Sequence, residues 1–144
     1  KLEYYPYGFG NHLINNMRSI LIYSLVYKNS DLEKISFKLI KNTLDEFIFN
    51  SYTLDQSSHY QILLYYWLYD ISHFSNKYSR SQISTVINQY VKILGKSSLN
   101  FISKNNHMIY FGDISPDYSP NYLLKLITND YSGDYNPYNL YNKI

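Results

Sequence analysis

With 144 residues, 45% of them apolar and 17% charged, the chain is long enough for one domain with a hydrophobic core and too apolar for wholesale disorder. A net charge of +2, with its Lys and Arg scattered rather than clustered, argues against nucleic acid as the partner. The absence of cysteine excludes disulfides and thiolate metal sites, and no run reaches the roughly 18 apolar residues that span a bilayer, so a soluble chain is expected.

Lys1-Leu2-Glu3-Tyr4-Tyr5 lacks the basic-then-apolar pattern of a signal peptide, and an opening residue other than Met is what a piece of a longer protein would show. Residues 1–10 read as loop, broken by Pro6, Gly8 and Gly10. From there Leu13, Ile14, Met17, Ile20, Leu21 and Leu25 recur at spacings of three and four. That periodicity predicts an amphipathic helix from about His12 to Tyr27, with Asn11 as its N-cap. Ser30-Asp31-Leu32-Glu33 fits a capping box, opening a second helix through Leu32, Ile35, Leu39, Ile40, Leu44, Phe47 and Ile48. Lys34, Lys38, Lys41, Asp45 and Glu46 form its wet side.

Residues 50–56 are expected to be a loop leading into Asp55-Gln56-Ser57-Ser58-His59-Tyr60. Ser57 suits the N-cap of a third helix reaching about Ser75, apolar on more than one face and therefore buried between neighbours. The polar cluster at its mouth is either a satisfied cap or a site, because buried polar groups are costly without partners. A turn over 76–80 precedes a fourth helix from about Ser81, carrying Ile83, Val86, Ile87, Tyr90, Val91 and Leu94, with a stop near Gly95 and a continuation through Leu99, Phe101 and Ile102 after a kink as the alternative.

Four helices on short connections must alternate in direction. Helices one and three look apolar most of the way round, two and four one-sided. The expected fold is all-α: stacked antiparallel helical hairpins over residues 1–104, with an inner and an outer layer. Residues 105–144 read as a turn-rich extension: a short apolar run, His107 to Phe111, ends in Gly112-Asp113. One short helix over 121–128 and a mostly irregular, tyrosine-bearing tail follow.

Two motifs taken together resemble the heparinase II/III-like polysaccharide lyases, whose relatives include alginate lyases. They are Gly10-Asn11-His12-Leu13-Ile14 and, further on, Asp55-Gln56-Ser57-Ser58-His59-Tyr60; Phe111-Gly112-Asp113 is similar to the Gly-Asp turn that follows the helical part of that family. The resemblance covers roughly residues 8–115. It implies part of an incomplete (α/α) toroid, normally followed by a β-sandwich domain that this chain does not evidently contain. It also implies cleavage of an acidic, uronate-containing polysaccharide by β-elimination, without a cofactor, in the periplasm or outside the cell. Asn11 and His12 match the positions that contact the uronate carboxylate, Tyr60 matches the proton-transferring tyrosine, and Gln56 and His59 are placed to hold neighbouring sugar hydroxyls.

The residues also admit plainer roles. Asn11 and Ser57 are good helix caps, Tyr60 is one of 19 tyrosines, and Tyr66 and Trp67 suit the core. His59 and His73 are too far apart in sequence for the i, i+4 spacing of a helical zinc site, so no metal is expected. The tyrosine abundance fits a genomic bias shared with Ile, Asn and Lys; it also fits sugar-ring stacking. A non-catalytic helical scaffold that binds glycan or protein through its tyrosines is therefore the alternative to a lyase.

Overall fold

The computed structural model describes residues 10–104 and 107–113. Four helices follow in order: α1 (Asn11–Tyr27), α2 (Ser30–Phe47), α3 (Ser58–Lys77) and α4 (Ser81–Ser98). A two-residue hairpin, β1 (Ile48–Phe49) and β2 (Tyr52–Thr53), lies between α2 and α3, and a 3-10 turn (Leu99–Phe101) follows α4. The expected short helix over 121–128 and the irregular tail lie outside the described residues.

The connections show how local sequence sets direction. Lys28 ends α1 in the left-handed conformation (φ 56°), and Asn29 at once caps α2, its side chain accepting from the Leu32 amide at 3.1 Å. Asn29, not Ser30, is thus the cap, and Glu33 is not part of a capping box. Its carboxylate accepts from Arg80 at 2.8 Å, linking the starts of α2 and α4. Near the other ends, Tyr90 donates to Asp45, which also pairs with Lys41 at 2.6 Å. The Lys41 bond is the main reason that the Asp45 carboxyl sits below its usual range, with the Tyr90 bond second; burial, then the bond to Asp45, raises the Tyr90 phenol to about 12. These two bridges make α2 and α4 parallel, as alternating direction requires.

Packing follows the hairpins: α1 against α2, α3 against α4, and α1 against α3 across the middle. Arg18 of α1 bonds Asp70 of α3 at 3.0 Å across that inner seam and lies 5.8 Å from the Trp67 ring. Ile14 and Leu21, Ile40 and Leu44, Ile62, Leu64, Leu68 and Ile71, then Ile87 and Leu94 are fully enclosed. Every helix contributes to one core, and α3 contributes most. Its aliphatic residues fall on several faces, so it must be covered on several sides.

Three local expectations are corrected. α1 is capped by Gly10, whose φ of 121° few L residues adopt and where a Cβ would approach the Phe47 ring at 3.4 Å; Asn11 is the first helical residue and makes no cap. α1 is also one-sided, leaving Tyr23, Val26 and Tyr27 exposed. Tyrosine counts as apolar in a periodicity pattern but keeps a polar end in water. Gly95 does not stop α4: it is buried inside the helix, which continues to Ser98.

Met108 is buried in the common core and Ile102 pairs with it as an isolated antiparallel bridge. The packed unit therefore extends past residue 104 to the turn at 111–113.

Candidate functional site

The mouth of α3 is assembled from three segments. Ser57 caps the helix, its Oγ accepting from the Tyr60 amide at 3.1 Å and donating to the Asp113 carbonyl at 2.5 Å. Asp55 accepts from the Thr53 hydroxyl at 2.6 Å and from the Ser57 amide at 3.3 Å, a side-chain turn that fixes the entry. The Ser58 amide donates to the Phe111 carbonyl at 3.2 Å, and the Phe111 amide returns a bond to Ser58 Oγ at 3.3 Å. The turn at 111–113 is thereby laid over the start of the helix. Most of the polar cluster there is a satisfied cap.

Gln61 is buried one residue beyond Tyr60 and was not singled out by sequence. Its Oε1 accepts from the Thr53 amide at 3.1 Å, and its Nε2 donates to Ser97 Oγ at 2.8 Å and Ser98 Oγ at 3.3 Å. It clamps the hairpin and the end of α4 to the start of α3. The only sequence signal is a polar residue inside an otherwise aliphatic turn. Gln61→Leu leaves a buried amide and two buried hydroxyls short of partners, and an unsatisfied buried group costs about 1–3 kcal/mol. The expected loss is about 2–4 kcal/mol in urea unfolding with an unchanged m value. A loss under the scatter of a surface substitution would show that the clamp carries no load.

The predicted site residues fall into two groups. At the start of α1, Asn11 is half-buried and His12 exposed; at the start of α3, Tyr60 is half-buried and packs against the core; Gln56 is exposed just before it, with φ 50°. α1 and α3 run parallel and in contact, so their first turns lie at one end of the inner layer. Counting back from the Arg18–Asp70 pair at roughly 1.5 Å per residue puts His12 and Tyr60 within about two turns of each other in height.

His59 belongs to neither surface. It is fully buried, with its ring 5.5 Å from that of Tyr60 in an edge-on arrangement, and both Nδ1 and Nε2 lack a hydrogen-bond partner. It is enclosed in the core and does not present its ring to a ligand at the surface, contrary to the sugar-binding role expected from sequence. Burial pushes its imidazole below the ordinary value of 6.5, because the charged form would be desolvated. The sign follows: as pH falls below the unfolded value, the unfolded chain takes up a proton that the folded chain refuses, so stability falls with it. Above that value both forms are neutral and this contribution is flat. His59→Leu is expected to remove that part of the pH slope and to leave neutral-pH stability equal or higher, since it deletes two unsatisfied atoms. Urea unfolding at acid and neutral pH measures both; a slope unchanged by the substitution would assign the pH effect elsewhere.

Among the described residues, no three His, Asp or Glu gather as a metal would require, and no helix is long and apolar enough to cross a membrane. Compared with protein-family models, with curated proteins and with solved structures, the chain matches none of them.

Proposed function

We propose that this chain is the helical part of a polysaccharide lyase that cleaves an acidic, uronate-containing glycan by β-elimination. In that reaction a base takes the C5 proton, the C4–C5 double bond forms, the C4–O4 bond breaks, and O4 leaves with a proton. The C5 proton is too weakly acidic until the adjacent carboxylate is neutralised. Amide and imidazole donors from Asn11 and His12 supply that, as preorganised donors do for developing negative charge. Tyr60 protonates O4 and, as its phenolate, is the candidate base for C5. Gln56 holds a neighbouring sugar hydroxyl. His59, enclosed beside Tyr60, acts on the phenol ring's position and not on the sugar.

The observation that carries this proposal is the shared end of the parallel α1 and α3, where exposed His12 and half-buried Tyr60 begin their helices. The test is ultraviolet absorbance of the unsaturated uronate when the full-length protein is incubated with uronic-acid polymers. A product signal that depends on Tyr60 supports a lyase, and no signal on any uronate polymer counts against it.

A second proposal, a helical scaffold that binds glycan without cleaving it, is favoured by a different observation. Ser57, Ser58 and Asp55 are all engaged in holding the 111–113 turn and the helix entry, which leaves fewer groups for chemistry. Such a scaffold would keep its affinity for oligosaccharide in Tyr60→Phe and His12→Ala and yield no unsaturated product.

A further inference from the structure

A groove of ≈ 550 Å³ opens between the hairpin turn and the last turns of α4, within the range of small-molecule sites. Asn50, Ser51 and Tyr52 line it from the hairpin; Lys92, Ile93 and Lys96 line it from α4, and Asn100 from the 3-10 turn. Among the described residues, no carboxylate lines it. Lys96 brings its ammonium to the groove beside Ser97, one turn beyond Lys92 on the same face of the helix. Tyr52 is held in place by Asn100, whose Nδ2 donates to the phenol oxygen at 2.8 Å, and by the Phe101 ring at 5.8 Å, and it remains 39% exposed. Ile93 is likewise exposed.

The groove thus combines an aromatic ring and an aliphatic side chain, amide and hydroxyl groups that both donate and accept, and the Lys96 ammonium. That set matches a hydroxyl-rich ring bearing a negative charge: apolar C–H faces against Tyr52 and Ile93, hydroxyls to Asn50 and Ser51, an acid group to Lys96. The turn itself is unusual in this respect. Asn50 and Ser51 both have positive φ (49° and 72°), a pair for which Asn-Gly is the easy sequence. A hydroxyl-bearing residue stands at the groove where glycine would relieve the backbone.

We propose that this groove is a binding site for a uronate residue of an acidic oligosaccharide, separate from the Asn11–His12–Tyr60 end. The choice of a uronate over other anions rests on the function proposed above; the groove and its charge do not. It lies at the same end of the helices as that site, since Gln61, next to Tyr60, bonds Ser97, which also lines the groove. One polymer chain can therefore engage both.

The test is binding by NMR titration with three probes: a tri-uronide, a neutral trisaccharide of the same linkage, and inorganic phosphate. The tri-uronide is expected to shift Tyr52 and Lys96 resonances, the neutral sugar to bind about tenfold more weakly, and phosphate to leave Tyr52 unmoved. Lys96→Gln weakens the tri-uronide about tenfold at this groove, and Lys96→Arg restores it. Phosphate competing as well as the uronide would reassign the groove to phosphorylated ligands and overturn the proposal. So would tri-uronide shifts indifferent to Lys96→Gln, or none at millimolar concentration. Loss of product formation in Tyr60→Phe with these shifts intact would leave the groove standing, and shifts confined to His12 and Tyr60 would leave the lyase site standing without it.

Discussion

Replacing Tyr60 by Phe is expected to lower the rate of β-elimination on a uronate polymer by about 10²- to 10⁴-fold, the usual contribution of a positioned acid or base. Affinity should change little, because the ring and its core contacts remain. On the proposed lyase reading, His12→Ala removes a donor from the carboxylate and is expected to lower the rate by about 10²- to 10³-fold, as loss of one oxyanion donor does. Initial rates of unsaturated-uronate formation on the full-length protein measure both. A Tyr60→Phe protein with unaltered rate would transfer the proposed proton chemistry to another residue. Unfolding must be checked in parallel, but Tyr60 caps nothing with its side chain, so its hydroxyl is the only group removed.

Gly112→Ala is expected to have a larger structural effect than the same change at Gly10, where the nearest contact is 3.4 Å. Gly112 has φ 71°, and a Cβ there would lie 2.5 Å from the Gln56 carbonyl oxygen and 2.8 Å from the Ser57 Cα. Both neighbours are backbone of the helix entry and cannot rotate away. Left-handed geometry alone costs an L residue about 1–2 kcal/mol, and the clash adds to it. The turn at 111–113 is expected to detach before the whole penalty is felt. The loss is then limited to what docking contributes: the Ser57–Asp113 and Ser58–Phe111 bonds, at about 1 kcal/mol each, and the Phe101–Phe111 ring contact at 5.0 Å. Amide exchange checks this directly. Ser58, whose amide bonds Phe111, should exchange much faster in Gly112→Ala, whereas the middle of α3 should not. Equal protection at Ser58 in both proteins would mean that the turn does not close the helix.

The helices were legible because their signals are local. Spacings of three and four among Ile62, Leu64, Leu68 and Ile71, and the cap at Ser57, follow from residues within a turn of each other. The caps of α1 and α2 were each misplaced by one residue because Gly10, Asn29 and their neighbours Asn11 and Ser30 all suit an N-cap; only backbone geometry separates them. The hairpin leaves no signal in the sequence, since two-residue strands show no alternation and its turn is Asn-Ser in place of Asn-Gly. At the candidate site, the Ser57 cap agrees with the position read from sequence. The Gln61 clamp does not show in sequence, because its partners Thr53, Ser97 and Ser98 are distant along the chain, and a histidine in a helix's first turn gives no local sign of the full burial found for His59. Asp55 and Ser58 belong to a cluster that the sequence leaves open between cap and site, and their bonds to Thr53 and Phe111 make them part of the cap.

Whether the first turns of α1 and α3 together face an acidic sugar is measured most directly by the NMR response of the His12 imidazole and the Tyr60 ring to a tri-uronide, in wild type and in Lys96→Gln to weaken binding at the separate groove. Shifts of both groups, saturating together and persisting in Lys96→Gln, are the predicted result. No shift at either group while the sugar binds elsewhere would contradict it.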